Sequence, residues 1–218
     1  MTLFPGSNCD RLLAVPFEAA GADVTMIWHK DTSLPKGLDM IGVPGGFSYG
    51  DYLRCGAIAA KSPICRAVVD HAEKGGYVFG VCNGFQILTE TGLLPGAMLR
   101  NTNLKYICKT IPLKVATANS DYTSGYEKDQ KIMIPIAHHD GNYTADAKTL
   151  DQLQDQDRIA FTYADNPNGS IADIAGILSE NRRVLGMMPH PERAADAGHG
   201  GTDGTALFRG LVGALQSA

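Results

Sequence analysis

"YVFGVCNGFQIL" (Tyr77–Leu88) is the stretch on which the fold reading turns. YVFGVC is a near-continuous apolar run, as expected of a strand covered on both faces. NGFQILTETGLL, from Asn83 onward, reads as a helix. A cysteine sits at the junction, with Gly80 and Gly84 two residues away on either side. A sharp strand-to-helix turn strains its central residue and crowds its neighbours, and flanking glycines relieve that crowding. G-x-C-x-G therefore has the logic of a nucleophile elbow with sulfur as the nucleophile. Ligands of open parallel sheets bind outside the carboxyl ends of the strands, where Cys82 falls. The following helix N-terminus is expected to lower its thiol pKa.

The same alternation runs upstream. TLF, VTMIWH and MIGVPGG read as strands. CDRLLAVPFEAAGA and SPICRAVVDHAEKGG read as helices, the second with Ser62 as N-cap and Pro63 at its first position. Alternating β and α units predict an α/β fold: a doubly wound, mostly parallel sheet with helices on both faces. Beyond Leu99 the character changes. LKYICKTIPLKVAT, KIMIPIAHH, RIAFTYA and IADIAGIL read as strands joined by turns without helices of similar length, which predicts an antiparallel extension at one edge. RRVLGMMPHPER returns to a buried strand, and TDGTALFRGLVGALQ closes as an amphipathic helix. With no repeat or linker, a single domain over residues 1–218 is expected.

Composition narrows the function. The chain has 218 residues, 44% hydrophobic and 19% charged, enough for a full core without disulfide or metal staples. A net charge of −4 without a long basic run disfavours nucleic acid and anionic membranes as partners. MTLFPGSNCD lacks the basic start of a signal peptide, and no stretch approaches a membrane span of roughly 18 apolar residues. Five cysteines, irregularly spaced and without a CxxC pair, read as reduced thiols in a cytoplasmic protein.

A nucleophilic cysteine needs a base and a group to orient it. Of six histidines, only His190 follows a buried-looking strand with a carboxylate in fixed register, in MPHPER. Residues two apart in an extended segment face the same side, so His190 and Glu192 are expected to pair. Gly45 and Gly46, after another apolar strand, are placed to turn an N–H toward an oxyanion, with the Asn83 N–H as second donor. Cys9, near a helix start in GSNCD, is the rival thiol but lacks the double-glycine frame. Cys65 and Cys108 read as core. His138, His139 and Asp140 are not expected to bind metal, because adjacent histidines on a strand face opposite ways. His29, His71 and His199 read as solvated.

GVCNGFQ, PGGFSYGDYLR, RNTNLKYICK and GMMPHPER together resemble the class I (triad) glutamine amidotransferases, whose fold is flavodoxin-like. The resemblance runs from Phe4 almost to the C-terminus. FPGSNCDR, GGFSYGDYLR and MMPHPER are specific to a branch that serves as separate glutaminase subunits. The resemblance implies Cys82 as nucleophile, His190 as general base, Glu192 as its orienting carboxylate, Gly46 and Asn83 as oxyanion backbone and Gln86 as a glutamine contact, with no metal. It implies hydrolysis of glutamine to glutamate and ammonia, with no cofactor on this chain. A PurL-type synthetase subunit, with a PurS-type small subunit, would use the ammonia with ATP and Mg2+. That ligase forms formylglycinamidine ribonucleotide from formylglycinamide ribonucleotide in purine biosynthesis. Two departures stand out: Cys55 replaces a residue usually alanine, and AHHDG stands where relatives read closer to AHGEG. The competing readings are a DJ-1/PfpI-like cysteine hydrolase or redox protein, and a non-catalytic scaffold subunit.

Overall fold

The computed structural model describes residues 1–51 and 54–217. Tyr52 and Leu53, inside the GGFSYGDYLR motif, lie outside the described residues, as do Ala218 and the side chain of His199. The strands are β1 (Thr2–Leu3), β2 (Ile27–Trp28), β3 (Met40–Val43), β4 (Tyr77–Val81), β5 (Ala97–Leu99) and β6 (Ile107–Val115). They continue with β7 (Lys131–His138), β8 (Asn142–Thr144), β9 (Ile159–Tyr163), β10 (Ile174–Leu178) and β11 (Val184–Met187). The helices are α1 (Asp10–Ala19), α2 (Cys55–Ala59), α3 (Pro63–Glu73), α4 (Asn83–Glu90), α5 (Ala147–Asp155) and α6 (Thr205–Gln216).

The main sheet has seven strands in the order β3-β4-β11-β10-β9-β6-β7. β3, β4 and β11 are parallel, and β10, β9, β6 and β7 continue the sheet antiparallel. The mixed α/β architecture and its antiparallel extension are as expected, but the main sheet is not mostly parallel: among the described residues only β3–β4 and β4–β11 pair in parallel, because the antiparallel extension supplies four of its seven strands. β1 and β2 form a short parallel pair beside it, tied to β3 where the Thr2 hydroxyl donates to Gly42 O at 3.1 Å. Helices cover both faces. Phe79 of β4 points to α1 and α6, where it meets Phe17 and Phe208, and those two rings stand edge to face 4.9 Å apart. Gly80 points the opposite way, toward Gly84 and Leu88 of α4. The alternation of one β-strand thus decides which helix packs on which face.

Three features of the extension depart from the sequence reading. α5 was not expected there; Asp146 caps it by accepting from Thr149 N at 2.8 Å, and Leu153 is its fully buried anchor. Register shifts between β9 and β10 bend the sheet, and its far strand, β7, returns to the C-terminal ends of β4 and β11. His190 N donates to Pro135 O of β7 at 2.8 Å. Cys108 is exposed rather than core, because the first half of β6 faces solvent. His29 is buried, not solvated, and shares Tyr49 and Ser62 as partners. Ser62 therefore occupies the N-cap of α3 while its hydroxyl bonds elsewhere.

Candidate active site

Cys82 sits between β4 and α4 with φ 52° and ψ −109°, a conformation costly for a non-glycine residue. The glycines beside it do what the sequence reading asked of them. A Cβ on Gly80 would meet Leu88 Cδ1 at 2.5 Å and the Gly84 carbonyl carbon at 2.8 Å, and one on Gly84 would overlap Val43 O. The turn closes only if α4 lies this near the sheet. Cys82 is 5% exposed, and its Sγ faces Ala137 O of β7 at 3.7 Å. Burial pushes its thiol well above the ordinary range, and the charges of Asp51, Cys9 and Glu192 push the same way. The Asn83 N–H at the helix start acts in the opposite direction and is outweighed. The expected lowering by the helix N-terminus is therefore corrected: in so dry a site, desolvation of the thiolate exceeds the helix contribution.

His190 Nδ1 donates to Glu192 Oε1 at 2.6 Å, and both side chains are 1% exposed. The pair forms, but not through strand register. β11 ends at Met187, and Pro191–Ala194 is a 3₁₀ turn with His190 at its N-cap. With Nδ1 donating, the neutral ring leaves Nε2 as an acceptor, and Nε2 is buried without a hydrogen-bond partner. A Cβ placed on Gly45 would lie 2.8 Å from Cys82 Cβ and 3.2 Å from His190 Cε1, so thiol and imidazole converge over this glycine.

The Gly45–Gly46 peptide is held from the N-terminal segment. Ser7 Oγ donates to Gly45 O at 2.7 Å, and Asn8 N donates to Gly46 O at 2.9 Å. Gly46 has φ 91°, and a Cβ there would strike Asn8, Cys9 N and Cys9 Sγ. Cys9 is thus part of the site's wall, which its sequence context did not reveal. Its Sγ and ligand atoms of His190 and Glu192 lie within 4.8 Å of one another. Arg193 Nη2 donates to Cys9 Sγ at 3.0 Å, and Cys9 Sγ donates to Asn8 Oδ1 at 3.3 Å. A guanidinium on the thiol repels a cation, so these three residues are poorly suited to holding a metal.

Behind Cys82 lies a polar cluster. The Asn83 Nδ2 group lies 3.0 Å from Asp51 Oδ1, 2.9 Å from Gln86 Oε1 and 3.1 Å from Cys55 Sγ, while its Oδ1 accepts from Ser48 N at 3.1 Å. Gln86 Nε2 donates to Asp140 O at 2.9 Å, and the Asp140 carboxylate pairs with Arg100 at 3.2 Å. Gln86 is thus on the Cys82 side of α4, as expected, but its amide is already engaged. A cavity of about 20 Å³ lined by Arg54, Gly56, Gln86, Glu90, Met98 and Asp140 adjoins it. That is room for about one water, which needs ~10–15 Å³, so a larger ligand enters only if the lining moves. Burial pushes the Cys55 thiol up to about 12, with Asp51 adding to the effect, so it rests protonated and donates within the cluster. The roles of Asp51, Ser48, Cys9 and Arg193 were not legible in the sequence, since no local spacing marks them.

The chain matches the family model of the CobB/CobQ-like glutamine amidotransferase domain over residues 1–200. It is 73% identical to phosphoribosylformylglycinamidine synthase subunit PurQ of Ruegeria sp., covering 100% of this chain and 98% of that relative. It is 74% identical to the subunit of the same name from Roseobacter denitrificans, again over 100% and 98%. Among solved structures it superposes on a chain of PurLQS from Thermotoga maritima with a TM-score of 0.90 and 41% identity, covering 98% of this chain and 96% of that one.

Proposed function

The chain belongs to the CobB/CobQ-like glutamine amidotransferase family, and we propose that it is the glutaminase subunit of a phosphoribosylformylglycinamidine synthase. The observation that carries this reading is the convergence of the elbow thiol and the Glu192-held imidazole over Gly45. His190 Nε2 takes the Cys82 proton as sulfur attacks the side-chain carboxamide of glutamine. The N–H groups of Gly46 and Asn83 stabilise the tetrahedral oxyanion. His190 then protonates the departing ammonia, leaving a thioester on Cys82. Water, deprotonated by His190, releases glutamate and restores the thiol. Glu192 holds the ring tautomer throughout and stabilises the imidazolium. Gln86 contacts the substrate once its amide is released from Asp140.

The ammonia passes to a PurL-type synthetase subunit, assembled with a PurS-type small subunit. That subunit consumes ATP with Mg2+ to make formylglycinamidine ribonucleotide in the cytoplasm. We take residues 1–218 to act as one glutamine amidotransferase type 1 domain, with no cofactor of its own. The neutral resting thiol of Cys82 fits a subunit that stays idle until assembly. The test is ammonia release from glutamine by the free chain and by the chain with PurL-type and PurS-type subunits. Turnover should be low alone and rise on assembly. Equal turnover numbers would remove the coupling, and no turnover in either state would leave a scaffold.

A further inference from the structure

The two proposed oxyanion donors belong to different elements. Gly46 lies on the loop after β3, and Asn83 opens α4. Their spacing depends on how loop and helix are joined. The loop is strained: Gly46, Phe47, Tyr49, Gly50 and Asp51 all have positive φ. Such conformations persist only where the surroundings over-determine them. Contacts from Asn8 N to Gly46 O (2.9 Å) and from Tyr49 N to Pro5 O (2.6 Å) fix the loop to the N-terminal segment, not to the nucleophile. Among the described residues, the hydrogen bonds from residues 46–51 to α4 both end on the Asn83 carboxamide. It accepts from Ser48 N and donates to Asp51 Oδ1. Asn83 is 1% exposed, so solvent does not compete for these bonds.

We propose that the Asn83 side chain is a positioning residue that sets the oxyanion hole by clamping loop 46–51 to the first turn of α4. This rests on the reading of Cys82 as nucleophile and of the Gly46 and Asn83 N–H groups as oxyanion donors. The clamp needs an acceptor and a donor on one short neutral group, which a carboxamide supplies. Leucine has the shape and neither function. Aspartate keeps the acceptor for Ser48 N but turns a second carboxylate toward Asp51.

The experiment measures kcat and KM for glutamine-dependent ammonia release in the reconstituted complex. It compares wild type with Asn83→Leu, Asn83→Asp, Asp51→Asn, the Asn83→Asp/Asp51→Asn double variant and Cys82→Ser. Asn83→Leu should lower kcat about 10- to 100-fold with KM nearly unchanged, short of the ~10²–10³ for outright loss of an oxyanion donor. Asn83→Asp should lose as much at pH 8, and its kcat relative to wild type should recover toward pH 6. There the facing carboxylates share one proton. Asp51→Asn keeps an acceptor for Asn83 Nδ2 but removes a charge that acts on Cys82, so its kcat is the baseline against which the double variant is read. The double variant, with donor and acceptor exchanged, should recover most of the Asn83→Asp loss. An aspartate is favoured at a helix start, so Asn83→Asp remains informative even if Asn83→Leu fails to fold. Wild-type kcat in a folded Asn83→Leu variant overturns the clamp. So does a flat pH ratio for Asn83→Asp with no recovery in the double variant. Turnover by Cys82→Ser overturns the underlying nucleophile reading instead.

Discussion

Replacing Gly84 with alanine tests the elbow at its tightest point. The new Cβ would overlap Val43 O and sit 2.9 Å from the Val43 carbonyl carbon. The obstacle is backbone, so no rotamer change absorbs it, and α4 and the end of β3 must part by about 1 Å to regain ordinary contact. If α4 moves, it carries Cys82 and the Asn83 N–H. If β3 moves, it carries Gly45 and Gly46. Either way the site opens by about 1 Å, a misplacement that can cost ~10²-fold in rate. Overpacking of this kind destabilises by about 1–3 kcal/mol, which in a chain of this size lowers Tm by roughly 3–10 °C. The assay is synthesis by the reconstituted complex with glutamine or with ammonium as nitrogen donor. Glutamine-dependent kcat should fall about 10²-fold, while ammonium-dependent synthesis, which bypasses the elbow, stays at the wild-type level. Gly213→Ala is the control: nothing lies within 4 Å of its Cβ, and alanine there should be neutral or add up to ~1 kcal/mol. Wild-type glutamine turnover by Gly84→Ala would refute the reasoning.

Cys82→Ser should abolish glutamine-dependent activity and preserve ammonium-dependent synthesis. Cys9→Ser, which keeps an acceptor for Arg193 and a donor for Asn8, should remain active; turnover in both assays distinguishes the two thiols. His190→Ala should remove most turnover, about 10²–10⁴-fold, because in the proposed mechanism it moves protons in both halves of the reaction. Glu192→Gln should leave a measurable remainder with little change in glutamine KM, and wild-type kcat in that variant would remove Glu192 from the triad. Burial, aided by repulsion from His190, pushes the His138 imidazole down to about 4. Its contribution to stability is complete above the unfolded value near 6.5 and is lost as pH falls toward 4. Urea unfolding at pH 7 and pH 5 should therefore differ by about 2 kcal/mol from this group, and His138→Gln should show a smaller difference.

What the sequence determined by itself lies within a few residues along the chain. The apolar run of β4, the glycine–cysteine–glycine frame and the start of α4 are local, and they fixed the elbow. The HPER segment fixed that His190 and Glu192 meet, although a 3₁₀ turn rather than an extended strand brings them together. Turn chemistry and side-chain periodicity act over such distances, so they can be read without coordinates. The tertiary structure decided the rest. β7 returns to face Cys82 from 55 residues away, through a bent sheet whose strand order no local pattern encodes. Cys9 and Arg193 meet across 184 residues to wall the Gly46 side. The resting state of the Cys82 thiol was also a tertiary matter. The helix start beside it is visible in the sequence, but its desolvation is set by every chain segment that closes over it. Burial sums over the whole fold, whereas the helix contribution comes from one turn, and here the larger sum prevails.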